Sequence, residues 1–382
     1  MKTLSSAFFA LSLLLFVSSC GDKSATKEGE TSTDSTAKAE MVELWLEVDY
    51  DDVRLRENPS MDSKVISTHK KRERLKYLNE MSEKMETVKL QNLEITAPWG
   101  KVATDKGQEG WIFLGAVIPA PGKAADEAHA ALKAVKGEDC KVMQAGIDAF
   151  VNAMKGKSAE EVDLATPELD LWLDSVANHV NNTLMDRPNY DDYSVVDVEG
   201  MEVKDADKIR AEMAEWKACG LDIIYPEGMT ALVPKPGLTI PALSGMVTPV
   251  MKAYMDQRSK EAEEGWSDDG GLVISPKQLA ERAVFWNDFT IKHPLFVHSA
   301  RMRNIADVYT SDLMLGQDNT PSISYETQKL DTEFQAAYDW LLKEHPESAA
   351  AKIIREWYDL LKANGLKRTP KVEAFIQKRI EY

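Results

Sequence analysis

Basic charge is scarce in this chain. Its 46 Lys and Arg stand against 63 Asp and Glu, a formal net charge of −17 with histidine neutral. A protein this acidic gains nothing from counterion release at a phosphate backbone and is repelled by anionic lipid surfaces, which argues against nucleic acid and unaided membrane binding. Long apolar runs are scarce as well. The run from about Phe8 to Val17 is about ten residues, too short to cross ~30 Å of hydrocarbon as a helix. Cysteine is rare, with three in 382 residues. No H-E-x-x-H pair occurs among the six histidines, and His293 and His298 are spaced onto different faces of a helix. No glycine-rich phosphate loop is present. Asp268-Asp269-Gly270-Gly271 lacks the spaced ligands and closing glutamate of a calcium loop and reads as a turn, as does Gly316-Gln317-Asp318-Asn319. The expectation is therefore no metal site and no cofactor.

What is present is enough for folded structure. At 43% hydrophobic residues the chain buries a real core, and its length suits two or three domains of ~100–200 residues. Lys2, the short apolar run and small residues before Cys20 read as a secretory signal. Val17-Ser18-Ser19-Cys20 resembles the lipobox of bacterial lipoproteins. The resemblance implies cleavage before Cys20, acylation of its thiol and amine, and a lipid anchor of several chains, where one chain binds only marginally. Residues 1–19 are thus expected as a leader and 20–40 as a lipidated tether. The stretch from Gly21 to Glu40 has no aromatic residue and no Leu, Ile or Val, so it cannot offset its ordering entropy, and its reach is ~25 Å. Gly21, where a retained lipoprotein would carry aspartate, favours the outer over the inner membrane of the cell envelope. Cys140 and Cys219 remain, either as one disulfide in an oxidising compartment or as two buried thiols.

Residues 41–120 read as short, closely punctuated strands. Val53-Arg54-Leu55-Arg56 alternates, with both arginines expected on the face opposite Val53 and Leu55, and Glu57-Asn58-Pro59-Ser60 ends it with a turn. Ser63-Lys64-Val65-Ile66, Trp99-Gly100-Lys101-Val102 and Asp105-Lys106-Gly107 leading to Gly110-Trp111-Ile112 follow in order. This series resembles the bacterial SH3-like domain, with a longer connection between Asn79 and Pro98 that contains the strand-like Thr87-Val88-Lys89-Leu90. The resemblance implies a small barrel and a binding role, toward peptidoglycan or a neighbouring domain, with Tyr50, Tyr77, Trp99 and Trp111 as candidate ligand contacts. The alternative is that the tryptophans fill the barrel core. The run Lys70-Lys71-Arg72-Glu73-Arg74 is either a contact for ligand carboxylates or a solvated hairpin tip.

Beyond Pro119-Ala120-Pro121-Gly122 the period becomes helical, and residues 121–382 are expected as a mostly α-helical domain. Thr166-Pro167 reads as a helix start, and Ser275-Pro276-Lys277-Gln278 as a capping box. His293-Pro294 and His345-Pro346 each join two amphipathic segments, which gives antiparallel helical hairpins in a loose helical repeat longer than the ~34-residue tetratricopeptide period. The fold class is therefore α+β and multidomain. Cell-wall cysteine peptidases often accompany SH3-like domains, but Glu138-Asp139-Cys140 keeps little of their nucleophile motif, with His179 or His293 as nominal bases. The reading is a lipid-anchored envelope protein that binds peptidoglycan or another envelope protein and leans away from catalysis. The alternatives are a wall hydrolase with an unfamiliar site in the helices, and a structural scaffold.

Overall fold

Strands begin where alternation begins. β1 (Trp45–Val48) and β2 (Val53–Arg56) bury Leu46, Val48, Val53 and Leu55. Arg54 faces outward as expected, but Arg56 does not. Its guanidinium is buried and donates to the Ser63 carbonyl at 2.5 Å, because the loop after β2 folds back and supplies an acceptor. β3 (Val65–His69), β4 (Arg74–Met81), β5 (Glu86–Leu90), β6 (Leu93–Ala97), β7 (Trp99–Ala103), β8 (Glu109–Phe113) and β9 (Val117–Pro119) follow. Seven of the nine form one sheet in the order β3-β2-β8-β7-β4-β1-β9, and its recorded pairs are antiparallel. At Gly110 a Cβ would stand 2.7 Å from Leu55 and 2.9 Å from the Arg56 carbonyl oxygen, so β8 approaches β2 this closely only with glycine. Among the described residues β5 and β6 pair only with each other, as a hairpin inserted between β4 and β7. Only the first of these two strands is prominent in the sequence.

The computed structural model describes residues 43–380 apart from 92 and 138. Within this span, one hydrophobic core fills the barrel and a second runs through the helices, giving a sheet-rich SH3-like region followed by a helical one. α1 (Lys123–Ala134), α2 (Val142–Ala153) and α3 (Ala159–Met185) open the helical part. α3 does not start at Thr166-Pro167. Ser158 caps it, its Oγ accepting from Glu161 N at 3.2 Å while Glu161 Oε2 accepts from Ser158 N at 2.9 Å. Pro167 therefore lies inside the helix and cannot bond the Asp163 carbonyl. The Thr166 hydroxyl donates to that oxygen instead, at 2.8 Å, and the helix continues.

α4 (Asp192–Val195) and α5 (Ala206–Cys219) come next, and α5 ends at Gly220, where φ is +99°. A hairpin of β10 (Leu221–Ile224) and β11 (Ala231–Pro234) leads to α6 (Ile240–Leu243) and α7 (Pro249–Glu264). The turn pairs β12 (Ser267–Asp268) with β13 (Gly271–Leu272), and β14 (Gly316–Gln317) with β15 (Thr320–Pro321), flank α8 (Pro276–Lys292) and α9 (Ser299–Leu315). The two acidic turns dock on each other, Asn319 N donating to the Gly270 carbonyl at 2.8 Å and Ser267 Oγ to Gln317 Oε1 at 2.6 Å. α10 (Thr332–Glu344), α11 (Ala349–Ala363) and α12 (Pro370–Ile380) are the last described helices. Ser275 and Gln278 form the expected capping box of α8. α8 packs on α9 and α10 on α11, each pair joined through its His-Pro step, and both α10 and α11 lie against α8. Among the described residues no helix is long and apolar enough to cross a membrane.

Candidate functional site

Of the four aromatic residues expected to contact ligand, Trp99 and Tyr77 are buried and Tyr50 and Trp111 are half-buried. Trp99 is 1% exposed, its ring edge-on to Phe113 at 5.8 Å between centroids. Its indole Nε1 donates to Glu86 Oε2 at 3.0 Å, so the inserted hairpin supplies the partner that lets this tryptophan be buried. Glu86 also accepts from Met61 N and Lys84 Nζ, each at 3.0 Å. Burial pushes its carboxyl up, but these hydrogen bonds outweigh that and hold it below the usual range. Tyr77 is buried beside Gly100, where any Cβ would press on its ring. Trp111 is half-buried on β8, between the buried Gly110 and Ile112 and therefore on the opposite face. Tyr50 is half-buried near Asp49, Lys71 and Arg303; burial raises its hydroxyl pKa and the Arg303 charge opposes this. Two cations of the basic run pair within the barrel itself, Lys71 with Asp49 at 3.3 Å and Arg74 with Glu47 at 3.6 Å.

Arg303 marks a seam between barrel and helices. It extends from α9, and its Nη2 donates to the Gly115 carbonyl at 3.4 Å, while Leu295 packs against the barrel core. Burial pushes the guanidinium pKa down, with Tyr50 and Asp49 acting the other way. Beside this seam a cleft of about 700 Å³ opens between the inserted hairpin and the helices. One wall is the hairpin, through Lys89 and residues 93–96. The floor is Asn287 and Thr290 of α8 with Asp307, Thr310 and Ser311 of α9, and the far wall is Lys352, Ile353 and Glu356 of α11. Both charge signs line it. None of the four predicted aromatic residues does. No sequence motif singled out Glu94, Lys352 or Glu356.

Cys140 and Cys219 are brought together, their Cα atoms 5.5 Å apart and their sulfurs joined as a disulfide. A disulfide sulfur is not a thiolate, so Cys140 is not a nucleophile in this structure. Cys20, with the rest of the predicted leader and tether, lies outside the described residues. Among the described residues no three His, Cys, Asp or Glu side chains converge as metal ligands.

The most perturbed histidine lies elsewhere. His298 stacks on Tyr254, 4.7 Å between centroids, with Nε2 3.8 Å from Asp170 Oδ2, too far for a hydrogen bond. Burial pushes its pKa down to about 4, and the Arg301 charge adds to this. Asp170 is pushed up to about 6 by burial, opposed by Arg301 and aided by Asp174, although its carboxylate is still 43% exposed. For His298 the native state binds fewer protons than the unfolded chain between pH ~6.5 and 4. Its contribution is intact above that window and lost as pH falls through it, by about 3 kcal/mol. Asp170 has the opposite sign, so a variant comparison isolates the histidine. The stability advantage of the protein over a His298→Gln variant should shrink by about that amount between pH 7 and pH 4 in urea unfolding. An advantage independent of pH would mean the imidazole is not held neutral.

The geometry defines a class: a small SH3-like barrel whose inserted hairpin forms a polar cleft with a helical region. Residues 40–117 match the family described as the bacterial SH3 domain. The helical region lies outside that match. No curated protein and no solved structure matches the chain.

Proposed function

We propose that this is a lipid-anchored binding protein of the bacterial cell envelope, without catalytic activity of its own, that contacts peptidoglycan or an envelope protein. The observation that carries the reading is the bacterial SH3 match over residues 40–117, since such domains often bind peptidoglycan or envelope components. The barrel's aromatic residues being mostly committed to its core, contact falls to the outer face around Trp111 and to the cleft beside the inserted hairpin. The disulfide at Cys140 weighs against the cysteine-hydrolase alternative.

Two measurements test this. Purified sacculi sedimented with the mature chain should carry it down without releasing soluble muropeptides; muropeptide release would make it an enzyme, and a chain left in the supernatant would remove the wall-binding reading. In cells, Cys20→Ser should move the protein out of the membrane fraction and abolish acyl labelling. Unchanged fractionation would remove the anchor.

A further inference from the structure

We propose that the cleft takes an extended polypeptide segment of another envelope protein, held as a third strand along the outer edge of β6. This rests on the reading of the chain as a binding protein, and it assigns the contact to a site outside the barrel sheet. Side chains of a strand alternate between its two faces, yet four consecutive residues, Leu93, Glu94, Ile95 and Thr96, line the cleft. A strand presents consecutive residues to one space when its edge is turned toward that space. β6 pairs with β5 alone, and among the described residues no hydrogen bond outside that ladder uses its main chain. An open edge of this kind is a template for strand addition, in which main-chain hydrogen bonds give affinity and side-chain pockets give selectivity.

The walls select the segment. Glu94 stands on the strand itself, and Lys352 and Glu356 stand one helical turn apart on α11. Among the described residues no hydrogen bond or ion pair engages these three side chains. A segment with a basic side chain meets the two carboxylates, an acidic side chain meets Lys352, and Leu93 with Ile353 accepts an apolar residue between them. Polyphosphate ligands are disfavoured, because carboxylates stand on both walls. The volume, about 700 Å³, lies within the ~300–1,000 Å³ of small-ligand sites and suits a few residues of extended chain.

The test is a display library of random short peptides panned against the full mature chain, with a Glu94→Lys/Glu356→Lys double variant as the counter-selection. Both positions are exposed, so charge reversal leaves the fold in place. Peptides retained by the chain and rejected by the variant should carry a basic residue. A synthetic copy should bind the variant about tenfold more weakly, a loss of ~1.4 kcal/mol. N-methylation of one alternate set of its amides should abolish binding, while methylation of the intervening set should not. No enrichment over the variant, or binding indifferent to both methylation patterns, overturns the proposal. Sacculus sedimentation of the same two proteins separates the readings. If peptides are enriched but sacculi are ignored, the strand-addition site stands and wall binding falls. If sacculi bind the chain and not the variant while no peptide is enriched, the cleft holds wall material and the proposal falls.

Discussion

Replacing Cys140 and Cys219 by alanine should lower the unfolding free energy by about 4 kcal/mol. The two positions are 79 apart, and a bond across a loop of that length removes a large share of the denatured chain's conformational freedom. It ties the approach to α2 to the last residue of α5, so α3 and α4 lie within the closed loop. Adding reductant to the unmodified protein should move its urea midpoint as far as the double substitution does. A midpoint unmoved by either treatment would mean that helix packing alone fixes this region. Disulfides persist in oxidising compartments, the kind of destination proposed for this chain.

The pairing illustrates where the sequence stops being legible. Two cysteines alone left one bridge or two thiols open, because proximity across 79 positions is set by how α2 packs on α3 and α5 on α2. The barrel was legible because most of its strands carry a local signal: alternation in Val53–Arg56, turn residues after it, and glycine where β8 closes on β2. Which tryptophan is buried was not legible. Buried Trp99 has its indole nitrogen met by Glu86 from the inserted hairpin, and a two-stranded hairpin is too marginal alone to announce such a role. Thr166-Pro167 misled for a related reason. A threonine directly before a proline looks like a cap and a first helical position, but the earlier capping box at Ser158 and the hydroxyl bond to the Asp163 carbonyl carry the helix through it. The cleft was illegible altogether. Its walls come from β6, α8, α9 and α11, and Lys352 with Glu356 has the spacing of any solvated helix face.

Glu261→Ala should destabilise the protein by about 3–5 kcal/mol, although glutamate is a poor core residue on composition alone. Glu261 sits on α7 with its side chain 1% exposed. It accepts from Trp286 Nε1 at 2.8 Å, Tyr309 hydroxyl at 3.0 Å, Gln257 Nε2 at 2.8 Å and Arg258 Nη1 at 3.4 Å. Removing the carboxylate strands an indole N–H from α8 and a phenol from α9 inside the core, each at about 1–3 kcal/mol. Burial, with the Glu261 charge adding to it, pushes the Tyr309 hydroxyl up to about 12, so it stays a donor throughout the neutral range. Glu261→Gln keeps one carbonyl oxygen and can satisfy one of the two donors well, so its loss should fall between the wild type and alanine. Thermal and urea unfolding would rank the three proteins, and near-ultraviolet dichroism would report the Trp286 environment. If alanine unfolds with the wild-type midpoint, the three helices are held by apolar packing and the buried carboxylate contributes nothing to the walls of the site.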